Sequence, residues 1–412
     1  MKPALFRVRS EYLPVHALNK LLAFLALAIL LSACGGGGGG AETKTGSGGT
    51  GDGSTPADAL TASGPLSTVG TASIAATGLD DRASAIFINT QAGQSFNALK
   101  LGMVAEVAGT IPLNSTATTS GTATSIVAQS AAVGLVSSVD LANQRLNVLS
   151  LTVQVDQNTI FEGLNSLAGV SAGSRIEVYG LPQADSRSIL ATRLISLPAS
   201  ASAPSELLGV ATNVSAFQLT VQGVAVPLGT VTAVTTPTGT IGGTSSIVEN
   251  TRVRVLGTYS AAGNSIAASQ IVAGIAVVRN DNAIIVLDGV VQSLGANGRF
   301  RLGDTDVETT TANAATVTVG SRVQVKGRKT AGLLAATDFR RIAAGERIQY
   351  VVQGDVANFV STANFTVRGE SINASTAMFV GGTVANLVNG RTVRIKVQAI
   401  GGRLEATEVT LL

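Results

Sequence analysis

The chain of 412 residues carries 28 Lys and Arg, 25 Asp and Glu, one His, one Cys and no Trp, for a formal charge of +3. A lone cysteine leaves no intramolecular disulfide, so stability must come from burial. The lone histidine, His16, lies in an N-terminal segment that reads as a removable signal; without it the chain lacks Cys–His and Ser–His nucleophile schemes and the usual nitrogen–sulfur zinc sites.

That segment comes first in chain order. Lys2, Arg7, Arg9 and Lys20 form a basic region ahead of the apolar run LLAFLALAILL, Leu21–Leu31, which is short for a membrane span and suited to a signal core. Leu31-Ser32-Ala33-Cys34 follows directly and resembles the lipobox of bacterial lipoproteins. The resemblance implies cleavage before Cys34, acylation of its sulfur and amino group, and membrane anchoring at about 0.8 kcal/mol per buried methylene. An ordinary secretory signal with an incidental cysteine is the alternative. Gly35 stands where an aspartate would signal inner-membrane retention, so the outer membrane is the expected location. Removing residues 1–33 takes four cations and Glu11 away and leaves 24 basic against 24 acidic side chains, so net charge gives no argument for nucleic acid. Residues 34–65, opening with Gly35–Gly40, read as a flexible tether with a reach of roughly 30 Å. The glycine run lacks the flanking strand, helix and GK[ST] ending of a phosphate loop.

Beyond the tether, Val, Ile, Thr, Ala and Gly alternate with turn residues at short intervals, which predicts an all-β protein of short strands. Internal similarity divides it into five modules, at 66–131, 132–200, 206–274, 283–344 and 347–412. The clearest recurring stretch is GSRIEVYG (Gly173–Gly180), which returns as NTRVRVLG (Asn250–Gly257), GSRVQVKG (Gly320–Gly327), GRTVRIKV (Gly390–Val397) and, earlier, GMVAEVAG (Gly102–Gly109). A first strand precedes it at Gly134–Asp140, Gly209–Ser215, Gly289–Gly295 and Gly354–Val360. A second is expected at Leu146–Asp156, Phe217–Pro227, Phe300–Glu308 and Phe365–Asn373, and a closing strand at Ile189–Ile195, Ile266–Val272, Leu334–Arg340 and Leu404–Thr410. The first module is the most divergent.

The order G-x-V-x-x-V, V-x-V-D with Thr159 and Phe161 nearby, G-S-R-I-E-V-x-G and A-T-R-L-I resembles the bacterial domain of unknown function 5666, most closely over Val133–Leu197. The resemblance implies tandem small β-barrels, OB-like in appearance, in an envelope lipoprotein, and it brings no activity with it. The insert Pro237–Ser246 and Val397 in place of the closing glycine depart from the pattern.

Within the recurring stretch, alternation sends the fourth and sixth positions into the barrel: Ala105/Val107, Ile176/Val178, Val253/Val255, Val323/Val325 and Val393/Ile395. The intervening positions face outward. There Arg252, Arg254, Arg322, Lys326, Arg394 and Lys396 form a basic face, a candidate surface for a polyanion or equally a solvated wall that protects the edge. Phe217, Phe300 and Phe365 recur where another copy has Leu146, so they read as core and not as a base-stacking platform; nucleic acid is not the expected partner. Asp80-Asp81 and the Asp304/Asp306 pair are the only carboxylate arrangements that invite catalysis or calcium, and turn chemistry accounts for Gly303-Asp304. No catalytic residue, metal site or cofactor is expected. The reading is a lipid-anchored envelope protein whose repeated modules bind a polymer or another protein; the alternatives are a spacer without a ligand and a carboxylate-dependent hydrolase.

Overall fold

The computed structural model describes residues 57–412 except 71, 75, 76, 81–84, 90, 113–120, 186, 201, 202, 230, 232, 237, 238 and 275–278. Cys34, the signal, the glycine run and Asp81 lie outside the described residues. Module 2 shows the plan of the repeat. Its strands are Ala132–Asp140, Arg145–Val148, Leu151–Gln154, Arg175–Pro182 and Ser188–Leu197. The first pairs with the second, the second with the third, the third runs parallel to the fifth, and the fourth bridges the fifth back to the first. This closes a five-stranded, OB-like barrel.

The same circuit recurs in modules 3, 4 and 5, with first strands Ser205–Thr212, Ile284–Leu294 and Tyr350–Ser361 and closing strands Ser265–Ala273, Leu333–Arg341 and Arg403–Leu411. A single helical turn precedes the recurring stretch in each module, at Leu167–Gly169, Thr244–Ser246, Thr311–Ala314 and Val384–Asn386. The expected second strand is in fact a tight hairpin. Leu149-Ser150, Gln222-Gly223 and Arg368-Gly369 take positive φ at both central positions, as the two-residue turn matched to strand twist requires.

Each feature of the recurring stretch has a backbone cause. Its first residue lies in the left-handed region, with φ of 86° at Gly173, 87° at Gly320 and 67° at Asn250, where glycine and asparagine are the tolerated residues. The fourth and sixth positions are buried in every copy, as alternation predicts. At the eighth position the pairing with the closing strand shifts by one residue, a β-bulge at Tyr179/Gly180, Leu256/Gly257 and Lys326/Gly327. A Cβ on Gly257 would sit 2.2 Å from the Ala267 carbonyl oxygen, and one on Gly327 2.0 Å from that of Ala335. Module 5 keeps the bulge, at Lys396/Val397, and turns Val397 into its core.

Residues Thr55–Leu412 belong to one compact unit. Ladders cross between modules: Leu60–Ser63 pairs parallel to Ile284–Leu287, Thr68–Val69 parallel to Val351–Val352, and Glu206–Leu207 antiparallel to Ala132–Val133. The cores of modules 2 and 3 merge into one cluster. The first of these ladders corrects an expectation. Ala57–Pro65, assigned by composition to the tether, is a strand of nine residues paired along its whole length with Val104–Pro112. Leu60, Ala62 and Pro65 are the apolar residues buried on it. Two backbone ladders hold this segment, and backbone ladders leave little trace in composition. The insert in module 3 also gains structure: Gly239–Gly242 forms a hairpin with Ala233–Thr236.

Gly257→Ala and Gly327→Ala push a methyl group into a backbone carbonyl and should each destabilise the protein by about 1–3 kcal/mol. Gly229→Ala, where a Cβ meets no atom within 4 Å, is the control. Urea midpoints of the three variants check this; equal midpoints would refute the close-approach account of the bulge glycine.

Candidate functional site

The six outward cations do not form a common basic face. Arg254 is fully buried: its Nε donates to Glu206 Oε2 at 2.8 Å, Nη1 to the Ser130 carbonyl at 3.0 Å and Nη2 to Ser130 Oγ at 2.7 Å. Arg322 grips Asp288 with two bonds, Nε to Oδ1 at 2.8 Å and Nη2 to Oδ2 at 3.0 Å. Burial alone would lower the pKa of the Arg322 guanidinium, and Asp288 more than reverses that. Arg252 pairs with Glu106 of module 1. The Lys326 ammonium is buried without a hydrogen bond. Only Arg394 and Lys396 of the six are exposed, and Lys396 Nζ donates to Glu408 Oε2 at 2.9 Å, holding that carboxyl below its ordinary range. The alternation was read correctly, but the outer face of one barrel is the docking face of the next.

One further expectation changes. Phe217 is 83% exposed, while Phe300 and Phe365 are buried. The core position of module 3 is taken by Leu219, two residues later, which pairs with Val226 as Phe300 pairs with Val307. Asp304 and Asp306 sit on a turn and the strand after it, each engaged by its own arginine, Arg279 and Arg301.

A buried convergence of charge lies where modules 1, 2 and 5 meet. Arg193, on the closing strand of module 2, is 1% exposed and uses its whole guanidinium. Nε and Nη2 donate to Glu162 Oε2 at 3.1 and 2.6 Å; Nη2 also reaches Glu370 Oε2 at 3.1 Å. Nη1 reaches Glu370 Oε1 at 3.1 Å and the Leu101 carbonyl of module 1 at 2.8 Å. Glu370, also buried, accepts the Leu101 N–H at 2.8 Å. Burial opposes the charge on Arg193; the two carboxylates outweigh it and raise its pKa. Nearby, the Asn158 amide of module 2 reads the backbone leading into module 5, with Nδ2 on the Glu346 carbonyl at 2.9 Å and Oδ1 accepting the Ile348 N–H at 2.8 Å.

Above this junction opens a cleft of about 330 Å³ between modules 2 and 5, with Arg193 and Glu370 at its floor. The strand Ile160–Glu162 and the loop after it form one wall; the hairpins around Asn364 and Arg403 and the strand Glu370–Asn373 form the other. The Phe161 N–H donates to the Gly402 carbonyl at 2.9 Å and ties the walls together. A Cβ on Gly402 would meet the Phe161 ring at 2.3 Å, so glycine is needed for the approach. Of the cleft residues, Phe161 and Arg193 fall within the motifs that carry the resemblance and others, such as Glu370 and Leu404, within expected strands, but none reads as a site residue from sequence. The one available signal was Arg193 itself, a single arginine in the apolar run ILATRLISL.

A family model matches this part of the chain. Residues 133–194 match the Domain of unknown function (DUF5666). The DUF5666 match thus spans the barrel of module 2 up to Arg193 and Leu194 in its closing strand, and the other modules share its strand circuit. No curated protein and no solved structure matches the chain.

Arg193→Met leaves Glu370 buried without a counter-charge and should cost about 3–5 kcal/mol in stability. Adding Glu370→Leu should recover part of that loss, since it removes the stranded charge but leaves the buried Leu101 N–H and carbonyl without these partners. Chemical denaturation of the two variants checks the pair; a double variant as unstable as the single one would show that shape, not charge, governs the junction.

Proposed function

We propose that the protein is a non-enzymatic, lipid-anchored binding protein of the bacterial envelope, whose fused β modules present a site for a polymer or a protein. The observation that carries this reading is the division of labour in the cleft. At the floor, every N–H of Arg193 is engaged by carboxylates and a carbonyl, leaving no proton donor poised for a reaction. At the rim, the side chains of Asn165, Asn364, Ser371 and Arg403 are exposed and make no hydrogen bond to another described residue. Such a rim suits recognition. Nucleic acid is disfavoured because most of the outward cations are spent on internal carboxylates. The lipobox resemblance supplies the membrane attachment at Cys34 and, with Gly35, the outer membrane.

Cys34→Ser should move the protein from the membrane fraction to the soluble one, read by ultracentrifugation and blotting. The detergent-solubilised mature protein should co-sediment with an insoluble polymer or membrane-free envelope fraction from the producing cells. A protein that stays in the supernatant with every fraction would instead be a spacer, and turnover abolished by Asp304→Asn and Asp306→Asn would establish a hydrolase.

A further inference from the structure

We infer that the cleft between modules 2 and 5 binds a neutral, hydroxyl-rich chain, a segment of an uncharged polysaccharide. The inference rests on the binding role proposed above and narrows it to a ligand class. Charge is the first argument. The lining carries two cations, Arg193 and Arg403, against two carboxylates, Glu162 and Glu370. An anionic ligand would meet the carboxylates at the floor with only Arg403 free to receive it. A cationic ligand would find one uncommitted carboxylate oxygen, Glu162 Oε1, on a carboxylate already paired with the Arg193 guanidinium, in a lining that also holds Arg403. A neutral ligand meets neither penalty.

Hydrogen-bonding capacity is the second. Small-molecule sites are mostly apolar, and this one is the reverse. Asn165 and Asn364 each offer a donor amide and an acceptor carbonyl, Ser371 offers both in one hydroxyl, Arg403 donates, and Glu162 Oε1 accepts. Hydroxyls on adjacent ring carbons are donors and acceptors at once, so a mixed rim can satisfy them where a rim of one kind could not. Phe161, half-buried against the module 2 core, supplies the apolar patch that the C–H face of a sugar ring needs. Asn364, Ser371 and Arg403 stand on strands and hairpin ends, and the loop that carries Asn165 follows a strand tied across the cleft through Phe161, so little ordering is left to be done on binding. The rim is exposed, so a ligand can be the interior of a long chain. The volume, about 330 Å³, takes a short stretch of it and no folded partner.

The test is affinity electrophoresis of the detergent-solubilised mature protein in native gels containing dextran, pullulan, laminarin or xylan, with alginate and hyaluronan as anionic comparators. Retardation by at least one neutral polysaccharide, unchanged as salt is raised, is the expected result. Asn364→Ala and Arg403→Ala, both exposed, should weaken it by about three- to tenfold each; unchanged denaturation midpoints would show that the fold is intact. Retardation by the anionic polymers alone, falling with salt, would overturn the ligand class and leave the binding role standing. Retardation that ignores both substitutions would overturn the site. No retardation in any gel overturns the inference; co-sedimentation with an envelope fraction would then still support the broader role, and its failure too would sink both.

Discussion

The arrangement of the modules depends on one buried guanidinium. Arg193 cannot be removed from water as a charge unless every donor finds an acceptor, and the acceptors come from Glu162 of its own module, Glu370 of module 5 and the backbone of module 1. Apolar contact between barrels would be compatible with many rotations of one against another. A planar guanidinium with fixed donor directions is not. Net stabilisation from such a group is modest, because desolvation consumes most of the Coulombic gain. What it sets is the geometry: with the three modules displaced by even an ångström or two, a charge would be stranded in a dry interior.

Backbone pairing works to the same end. Closed barrels have no free edges, yet the strand Ala57–Pro65 lies between Val104–Pro112 of module 1 and the first strand of module 4. This strand therefore serves two modules, and only the short continuation at Thr68–Val69 meets the paired strands Ala72–Ile74 and Thr77–Asp80 of module 1. That double duty gives a physical reason for this copy to be the most divergent. Its residues answer to a neighbour as well as to their own core. Modules of this size bury a small share of their surface when alone, and the shared ladders, the merged cores and the buried contacts of Arg254 with Ser130 of module 1 extend that share.

Period-2 alternation made the inner positions of every recurring strand readable, because it is a property of a single strand. The errors share a different cause. Arg254, Arg322 and Lys326 point away from their own barrels, as alternation says, but alternation carries no information about what lies on the other side. Phe217 was aligned by identity with Phe300 and Phe365, whereas the register that counts is set by the Gln222-Gly223 turn, which puts Leu219 in the core. The segment 57–65 looked like a linker because small residues suffice where hydrogen bonds on both sides do the holding. The cleft was invisible for the same reason as the basic face: it exists only between modules, built from residues two hundred positions apart.

The position of the cleft over the Arg193 junction separates two demands that usually conflict. A binding surface must be free to change, and a docking interface must not. Here the charged groups that lock the modules lie at the floor with their bonding capacity used, while the polar groups left free stand at the rim, on exposed turns and strand ends such as Asn165, Asn364 and Arg403. Replacing a rim residue removes no buried partner and exposes no core, so its cost to the fold is that of an ordinary surface change, within about 0.5 kcal/mol. Replacing a floor residue strands a charge. On the binding role proposed above, specificity at the rim can drift from one polymer to another over a junction that does not move, which gives one answer to why a chain with a single cysteine would dock its barrels around an ion pair instead of a simple apolar seam.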